Sequence, residues 1–558
     1  MREPFYDEVI ALMRENQLDK DQLVKQKILL VKKHGLKVVP RDIDIMLRAT
    51  KEERQVLKLK TKPVRSIAGV APVAIMSAPM PCPHGKCRMC PDHLKEGIPM
   101  SYTGKEPASM RGLRANWDAF VQVFNRLEQY VVIGHTPEKC DVIVMGGTFP
   151  SYPLPYQEGY IRDMFLAMNV FSELFYSEGE LDIEKFKTFF ELPRDIKDTQ
   201  QTAGVQDRIR ELKTNYKDVT LEQAQKANES SIIRCIGLTF ETRPDCALLP
   251  HANLMLRLGG TRVELGVQSV FDECLTAVYR AHDKALNEKS IQVLRDLGFK
   301  LNFHYMPGMP GKTGERIPYQ QDLEGLKELF SNPAYRPDML KIYPCMVMPN
   351  TPLLEDYNKG LFHPLDTQEA SKMIQAFLPS VEPYCRIMRV QRDIPTYRTV
   401  AGVGETNLRQ RLDEHASKDI RTREIGSRVF DELEPDVVVT EYEAAGGREF
   451  FISFEDTKRN VLVGFVRMRF PKEHLRPEII PGTAIIRELH VYGEAAGIRM
   501  KGIVQHRGVG TILLQQAEQL AKELGKKKMV VIAGVGVREY YIRKHQYRHD
   551  GPYVSKEL

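Results

Sequence analysis

Three cysteines within nine residues, Cys82, Cys87 and Cys90 in the run PCPHGKCRMC, are the side chains of this sequence best suited to chemistry. Thiolates hold iron–sulfur clusters and zinc about equally well, so the motif has two readings. In the first, three thiolates bind a [4Fe-4S] cluster and leave one iron open for the amino and carboxylate groups of S-adenosylmethionine. In the second, His93 completes a structural Cys3His zinc site. The C-x4-C-x2-C spacing is one residue longer than the C-x3-C-x2-C usual for radical chemistry, so the motif by itself leaves both open.

A second constellation lies near the C-terminus. The loop QHRGVG opens TILLQQAEQLAKEL, where Leu513, Ala517, Leu520 and Leu524 recur every three or four residues as one helix face. Backbone N–H groups of Gly508, Val509 and Gly510 at that helix N-terminus suit a pyrophosphate, because the dipole and the unpaired donors both favour negative charge. The strand AIIRELHVYG precedes the loop, KKMVVIAGVG follows as the next strand, and REYYIRKHQY follows as a closing helix. This order, with Gln505, Gly508 and Gly510 as Q-x-x-G-x-G, resembles the coenzyme A loop of the GCN5-related N-acetyltransferase (GNAT) superfamily. Tyr540 and Tyr541 would then lie near a thioester sulfur, where a phenol binds or protonates a leaving thiolate. The plain alternative is a pair of core-edge tyrosines.

The elements that must position the cysteines lie in residues 70–400. DVIVMGGTFPS, IIRCIGLTFETRPD, TRVELGVQSV, KLNFHYMPGMPG and DMLKIYPCMVM each read as a buried strand ending in a polar or glycine-rich loop, with helical segments between. Repeated β-α units predict an α/β fold with a parallel sheet or partial barrel, whose ligand site lies at the carboxyl ends of the strands. Gly146, Gly147, Thr148, Glu241, Thr242, Gln268, Ser269 and His304 are placed there. Residues 170–228 are too long and polar for an ordinary connection and read as a surface insertion.

With 558 residues, 42% of them hydrophobic, the chain predicts several buried cores. The remaining six cysteines are scattered singly, as buried thiols in a reducing compartment would be, so the cytoplasm is expected. No signal peptide or membrane span is legible. Net charge is +6, unevenly placed: Lys25 to Arg65 holds thirteen Lys and Arg against four acids. This segment reads as one or two amphipathic helices followed by a basic arm. Lys25, Lys27, Lys32, Lys33, Lys37 and Arg41 are candidates to neutralise phosphates, with a solvated helical face as the alternative.

A basic N-terminal segment, a radical-type barrel and an acetyltransferase-like domain in one chain resemble the catalytic-subunit family of Elongator. The resemblance covers nearly the whole sequence and rests on SYTGKEPASMRGLRA, VIVMGGTF, TFETRPD, ELGVQSV, MRVQRDIP, RTREIGSR, IRELHVYG and GVGVREYY. It implies a basic helical tRNA-binding segment (1–68), a radical S-adenosylmethionine partial barrel (69–400), a linker (401–435) and a GNAT-like domain (436–558). It implies cluster ligands Cys82, Cys87 and Cys90. It also implies acetyl-coenzyme A contacts at Lys139, Glu488, Leu489, His490, Val491, Val509, Gly510, Thr511 and Tyr541, with Lys139 and Tyr541 as catalytic candidates. Two positions depart from the pattern. Gln546 stands where many relatives have glycine, and Ser417 where some have a cysteine.

The activity so implied is synthesis of 5-carboxymethyluridine at the tRNA wobble position. A 5′-deoxyadenosyl radical takes hydrogen from the acetyl methyl, the carbon radical adds to C5 of uridine, and thioester hydrolysis frees coenzyme A. The partners implied are tRNA through its anticodon loop, acetyl-coenzyme A, an electron donor and Elongator-type accessory subunits. The competing reading is a protein lysine acetyltransferase with a structural barrel, in which Glu488 or His490 serves as base. A non-enzymatic scaffold with a zinc knot is the third.

Overall fold

The computed structural model describes residues 3–16, 18, 20–50, 52–53, 70–193, 199–413, 416–426, 432–493 and 508–558. Two large sheets organise it. The first is built from β1 (Ala71–Met76), β2 (Lys139–Met145), β5 (Arg234–Thr242), β6 (Arg262–Gln268), β7 (Lys300–Tyr305), β8 (Met339–Ile342) and β9 (Arg386–Val390), hydrogen-bonded in that order and all parallel. The ribbon β3 (Tyr176–Ser177) and β4 (Glu180–Leu181) stands apart. Successive strands are joined through helices, among them Ala119–Val132, Leu249–Arg257, Lys284–Asp296 and Tyr319–Ser331, which is the partial β/α barrel predicted from the alternating pattern.

The strands are not uniformly buried, as their apolar runs had implied. On β2, Cys140, Val142 and Val144 pack outward under the helices, while Lys139, Asp141, Ile143 and Met145 face an open lumen. Residues 170–228, which the sequence allowed to be helical, carry more apolar packing than their polar composition implied. They are helical over Ile183–Phe190, Thr199–Thr214 and Leu221–Asn228. Phe171, Phe175, Phe186 and Phe190 are each fully buried and pack edge-on or tilted against one another and against Phe124. The i, i+4 phenylalanines give the segment an apolar face of its own.

The second sheet runs β10 (Asp436–Ala444), β11 (Gly447–Asp456), β12 (Val461–Phe470), β13 (Thr483–Val491), β14 (Lys528–Val531), β16 (Tyr553–Glu557), β15 (Arg548–Asp550). All neighbours are antiparallel except β13 and β14, which pair in parallel only through Thr483–Ile486. Beyond Ile486 the two diverge, and the helix Val509–Glu523 packs on β12 and β13 beside the gap. At the N-terminus, α1 (Pro4–Glu15), α2 (Lys20–Lys33) and α3 (Asp42–Arg48) enclose a small core of Phe5, Tyr6, Val9, Ile10, Leu23, Leu30 and Ile45.

The second sheet is docked beneath the first by buried charge. Asp338, just before β8, receives both guanidinium nitrogens of Arg487 at 2.7 Å. Glu449 on β11 accepts from Arg487 at 2.8 Å, Arg469 at 2.9 Å and Arg295 at 3.0 Å, and Arg469 also holds Asp296 at 2.6 Å. Arg295, Asp296 and Asp338 belong to the barrel, and Glu449, Arg469 and Arg487 to the second sheet; all are nearly inaccessible. A bulge between Arg467 and Met468 lets Arg487 and Glu488 both be used. The same contact brings Gly534 so close to β5 that a Cβ there would lie 2.1 Å from the Ile236 carbonyl oxygen.

Asp338→Asn removes a charge from beneath buried arginines, so it should cost about 3–5 kcal/mol in denaturant unfolding. The closing helix Arg538–His545 ends with Gln546 at φ 62°, the left-handed region that glycine adopts more easily. Gln546→Gly should therefore stabilise the protein by about 0.5–1 kcal/mol in the same measurement.

Candidate active site

A single cavity of about 1370 Å³ runs through the barrel, from the loops at the carboxyl ends of the strands to the second sheet at their amino ends. Cys82, Cys87 and Cys90 line its upper end. They sit in the loop after β1, where Arg88 N–H bonds the Val278 carbonyl at 3.1 Å and Leu353 N–H bonds the Arg88 carbonyl at 3.1 Å. Cys82 Sγ lies 3.8 Å from Thr148 Oγ1, Cys87 Sγ 3.1 Å from His84 Nε2, and Cys90 Sγ 3.0 Å from Ser101 Oγ. Burial raises the Cys82 thiol, and pushes Cys90 up to about 11.

The donor set fits a cluster better than zinc. Ligands of one tetrahedral zinc, each about 2.3 Å from the ion, would lie about 3.8 Å apart. Among the described residues the three Sγ atoms do not form a set within 4.8 Å of one another. His93, the fourth ligand of the zinc reading, instead places Nδ1 3.1 Å from Glu96.

Around this end stand the other residues placed there by the strand pattern. Gly146 and Gly147 turn the chain with φ of 122° and 103°; a Cβ on Gly146 would strike Ser77 Oγ at 2.3 Å. Gly147, Thr148, Glu241, Thr242, Gln268 and His304 line the cavity. Gln268 has φ 67° and its buried Oε1 lacks a hydrogen-bond partner, which leaves an acceptor available to a ligand. Ser269 is not at the site: it is buried, and its hydroxyl accepts from Phe271 N–H to brace the turn.

At the lower end the cavity reaches Lys139, Glu488, Leu489, His490, Val491, Gly510, Tyr540 and Tyr541, so the barrel and the second sheet contribute to one chamber. Lys139, at the start of β2, is lowered by burial. Gly508, at φ 91°, caps the helix Val509–Glu523, and Val509 and Thr511 lie in its first turn. Gln505 lies outside the described residues. Tyr541 is buried against Tyr540 and Tyr547, and burial raises its hydroxyl, leaving it a neutral donor. Burial brings His490 down to about 4. Although burial opposes ionisation, Lys300 and Arg467 hold Glu488 at about 2. With Arg467 at 2.9 Å, Glu488 is a weak base, which removes one of the two bases available to the lysine acetyltransferase reading.

The N-terminal cations separate into two groups. Lys25, Lys32 and Lys37 are exposed. Lys27 is a correction to the phosphate-contact set: it is 5% exposed and spends its charge on Asp42 at 2.8 Å. Lys33 pairs with Glu8 at 2.5 Å and Arg41 with Asp44 at 3.0 Å, both still near the surface.

The site also uses residues that the motifs did not mark. Glu264, Lys341, Asp141 and Arg262 line the lumen as charges set among largely apolar strand residues. A charged residue inside such a run was the available signal.

Fold and chamber together define a radical S-adenosylmethionine-type half-barrel fused to an acetyltransferase fold. Residues 5–67 match the ELP3 N-terminal domain, 337–418 the Radical_SAM C-terminal domain and 418–544 the Acetyltransferase (GNAT) family. Over 97% of its length the chain is 40% identical to a tRNA uridine(34) acetyltransferase of Methanocaldococcus infernus, covering 96% of that protein. It is 37% identical to Elongator complex protein 3 of Dictyostelium discoideum, covering 97% of this chain and 92% of that one. The solved archaeal Methanocaldococcus infernus Elp3 with an N-terminal deletion superposes with a TM-score of 0.69 at 35% identity, over 88% of this chain and all of that one. The chain belongs to the Elongator complex protein 3 family.

Cys87→Ala should abolish retention of iron after anaerobic reconstitution, with iron and sulfide analysis and the visible absorption band as readouts. Zinc retained at one equivalent in place of iron would revive the Cys3His site.

Proposed function

We propose that this protein is a tRNA uridine(34) acetyltransferase that builds a carboxymethyl group on C5 of the wobble uridine from acetyl-coenzyme A. The observation that carries the reading is the continuous chamber joining Cys82, Cys87 and Cys90 to Lys139 and Tyr541. Two half-sites on different sheets of one cavity suit a reaction in which chemistry at one cofactor site would act on a group carried by the other. The relatives named for uridine(34) chemistry, matched over nearly their whole length, support the substrate.

Cys82, Cys87 and Cys90 would hold a [4Fe-4S] cluster, and Gly146, Gly147, Thr148, Glu241 and Gln268 would hold S-adenosylmethionine beside it. Bound together, these groups supply a 5′-deoxyadenosyl radical that takes hydrogen from the acetyl methyl. The chain's own residues position and protect. The loop from Gln505 to Thr511 would take the pyrophosphate of acetyl-coenzyme A, with Glu488, Leu489, His490 and Val491 lining its arm. Lys139, donated by the barrel, would meet the thioester end, and the Tyr541 hydroxyl would supply a proton to the departing thiolate. Exposed Lys25, Lys32 and Lys37, with Lys33 and Arg41 beside them, would meet tRNA phosphates. A single-stranded anticodon loop surrenders its base at low cost. Among the described residues no helix is long and apolar enough to cross a membrane, and the setting we assign is the cytoplasm, with an electron donor and Elongator-type subunits as partners.

The test is product analysis. Reconstituted protein is incubated with S-adenosylmethionine, acetyl-coenzyme A, a strong reductant and tRNA, and the tRNA is digested for mass spectrometry. The expected product is 5-carboxymethyluridine, dependent on acetyl-coenzyme A and lost in Cys87→Ala; Tyr541→Phe should slow it about 100-fold. Unmodified tRNA with the acetyl group transferred to a protein amine would overturn the reading in favour of a lysine acetyltransferase.

A further inference from the structure

Midway along the lumen, between the cysteines and the second sheet, four neighbouring strands place ionisable side chains in one layer. Glu241 on β5 stands opposite Glu264 on β6, and His304 on β7 opposite Lys341 on β8. Above this layer are Gln268 and Thr148; below it are the Asp141–Arg262 pair at 3.2 Å and the Lys300–Glu488 pair at 3.8 Å. The Lys341 ammonium rests on Glu264 Oε2, His304 Nε2 lies 2.9 Å from the same oxygen, and Asn302 donates to Oε1 at 3.1 Å. Tyr102 donates to Glu241 at 2.7 Å.

Carboxylate oxygens of Glu241 and Glu264 and a ring nitrogen of His304 lie within 4.8 Å of one another, which is close enough for a cation. Lys341 already supplies that positive charge from within the chain. Glu264 stays ionised through Lys341 and His304 in spite of burial, and Lys341 stays charged through Glu264 in spite of the same cost. Such a pair, inside a protein, is seldom more stabilising than well-packed apolar residues. Here it is set into the wall of a cavity, its ammonium facing space that a ligand can enter. Glu264 takes one of the three ammonium protons, and the remaining donors suit an oxygen acceptor.

We propose that Lys341, oriented by Glu264, donates a hydrogen bond to the carbonyl oxygen of the acetyl thioester inside the lumen. The inference rests on the acetyl-coenzyme A reading above. An acyl group carried from the second sheet toward the cysteines must pass this layer, and a bound carbonyl would leave its methyl pointing to the upper end. The same contact serves the hydrolysis that frees coenzyme A. Water adds to the carbonyl carbon, and the π pair moves onto oxygen beside the ammonium. The pair then returns, the C–S bond breaks with its electrons on sulfur, and a proton from the water ends on the thiolate. Water is the sole co-reactant. Lys341 is thus a catalytic residue, acting as an oxyanion donor, and Glu264 is a positioning residue.

The test uses the full-length protein and acetyl-coenzyme A carrying 13C at the carbonyl, read by isotope-edited infrared difference spectroscopy with no cluster or S-adenosylmethionine required. Wild type is compared with Lys341→Met and with the double variant Glu264→Gln/Lys341→Met, which removes together with the ammonium the carboxylate that it rests on. Equilibrium dialysis first measures acetyl-coenzyme A binding. The expected result is a carbonyl band at lower frequency in wild type than in both variants, with thioester hydrolysis in the presence of tRNA reduced about 100-fold in each. Failure of wild type to bind acetyl-coenzyme A overturns the cofactor reading itself, and this inference with it. Bound acetyl-coenzyme A with the same carbonyl band in all three proteins overturns the role of Lys341 alone. So does an unshifted carbonyl accompanied by weaker tRNA binding in the variants, which would assign the layer to the base.

Discussion

The structure depends on how four arginines and three carboxylates are buried between its two sheets. Arg295, Arg467, Arg469 and Arg487 are each no more than 1% exposed, and they are neutralised chiefly by Asp296, Asp338 and Glu449. Desolvating so many charges is tolerable only where nearly every donor finds an acceptor, so the interface has a single low-energy register. Planar guanidinium groups sharpen that register, because bidentate pairs such as Arg487 with Asp338 fix angle as well as distance. Asp338 also accepts from Leu301 N–H, and Arg487 donates to the Phe299 carbonyl, so the network grips the barrel backbone as well as its side chains.

That register has a functional consequence. It holds the open end of β13, where Glu488 to Val491 have left β14, directly under the amino ends of the barrel strands. The barrel lumen then continues into the gap of the second sheet as one chamber. An apolar interface of equal area would tolerate sliding, whereas a shift of about 1 Å between two reaction half-sites is costly to rate. Gly534 serves the same docking, since only a residue without a side chain allows the loop after β14 to touch the Ile236 carbonyl.

Much of this was legible from local pattern. Cys82, Cys87 and Cys90, the GGT turn and the alternation of apolar strands with helices identified the barrel, its direction and the end that carries chemistry. The Q-x-x-G-x-G loop with the strand–helix–strand order identified the second sheet. These features were visible because they are short-range: turns, ligand spacing and periodicity are written within a dozen residues. Lys341 and Glu264 were invisible as site residues because each is a charge inside a strand that otherwise reads as buried. Which face of a strand a residue occupies follows from register, but whether that face meets helices or an open lumen does not. Lys27 failed in the opposite sense: a count of cations treats every lysine as surface, and only the packing of α2 and α3 around α1 brings this one to Asp42.

The sequence by itself determined the kinds of element, the order of the units and the residue types able to bind metal, nucleotide and phosphate, because those are set by chemistry between near neighbours. Tertiary structure alone decided that the two halves share a chamber. Asp338 and Arg487 are 149 positions apart, and Glu241, Glu264, His304 and Lys341 come from four strands. Contacts of such separation carry no local signal; they exist only once loop-closure entropy has been overcome by the burial and charge pairing of the whole fold.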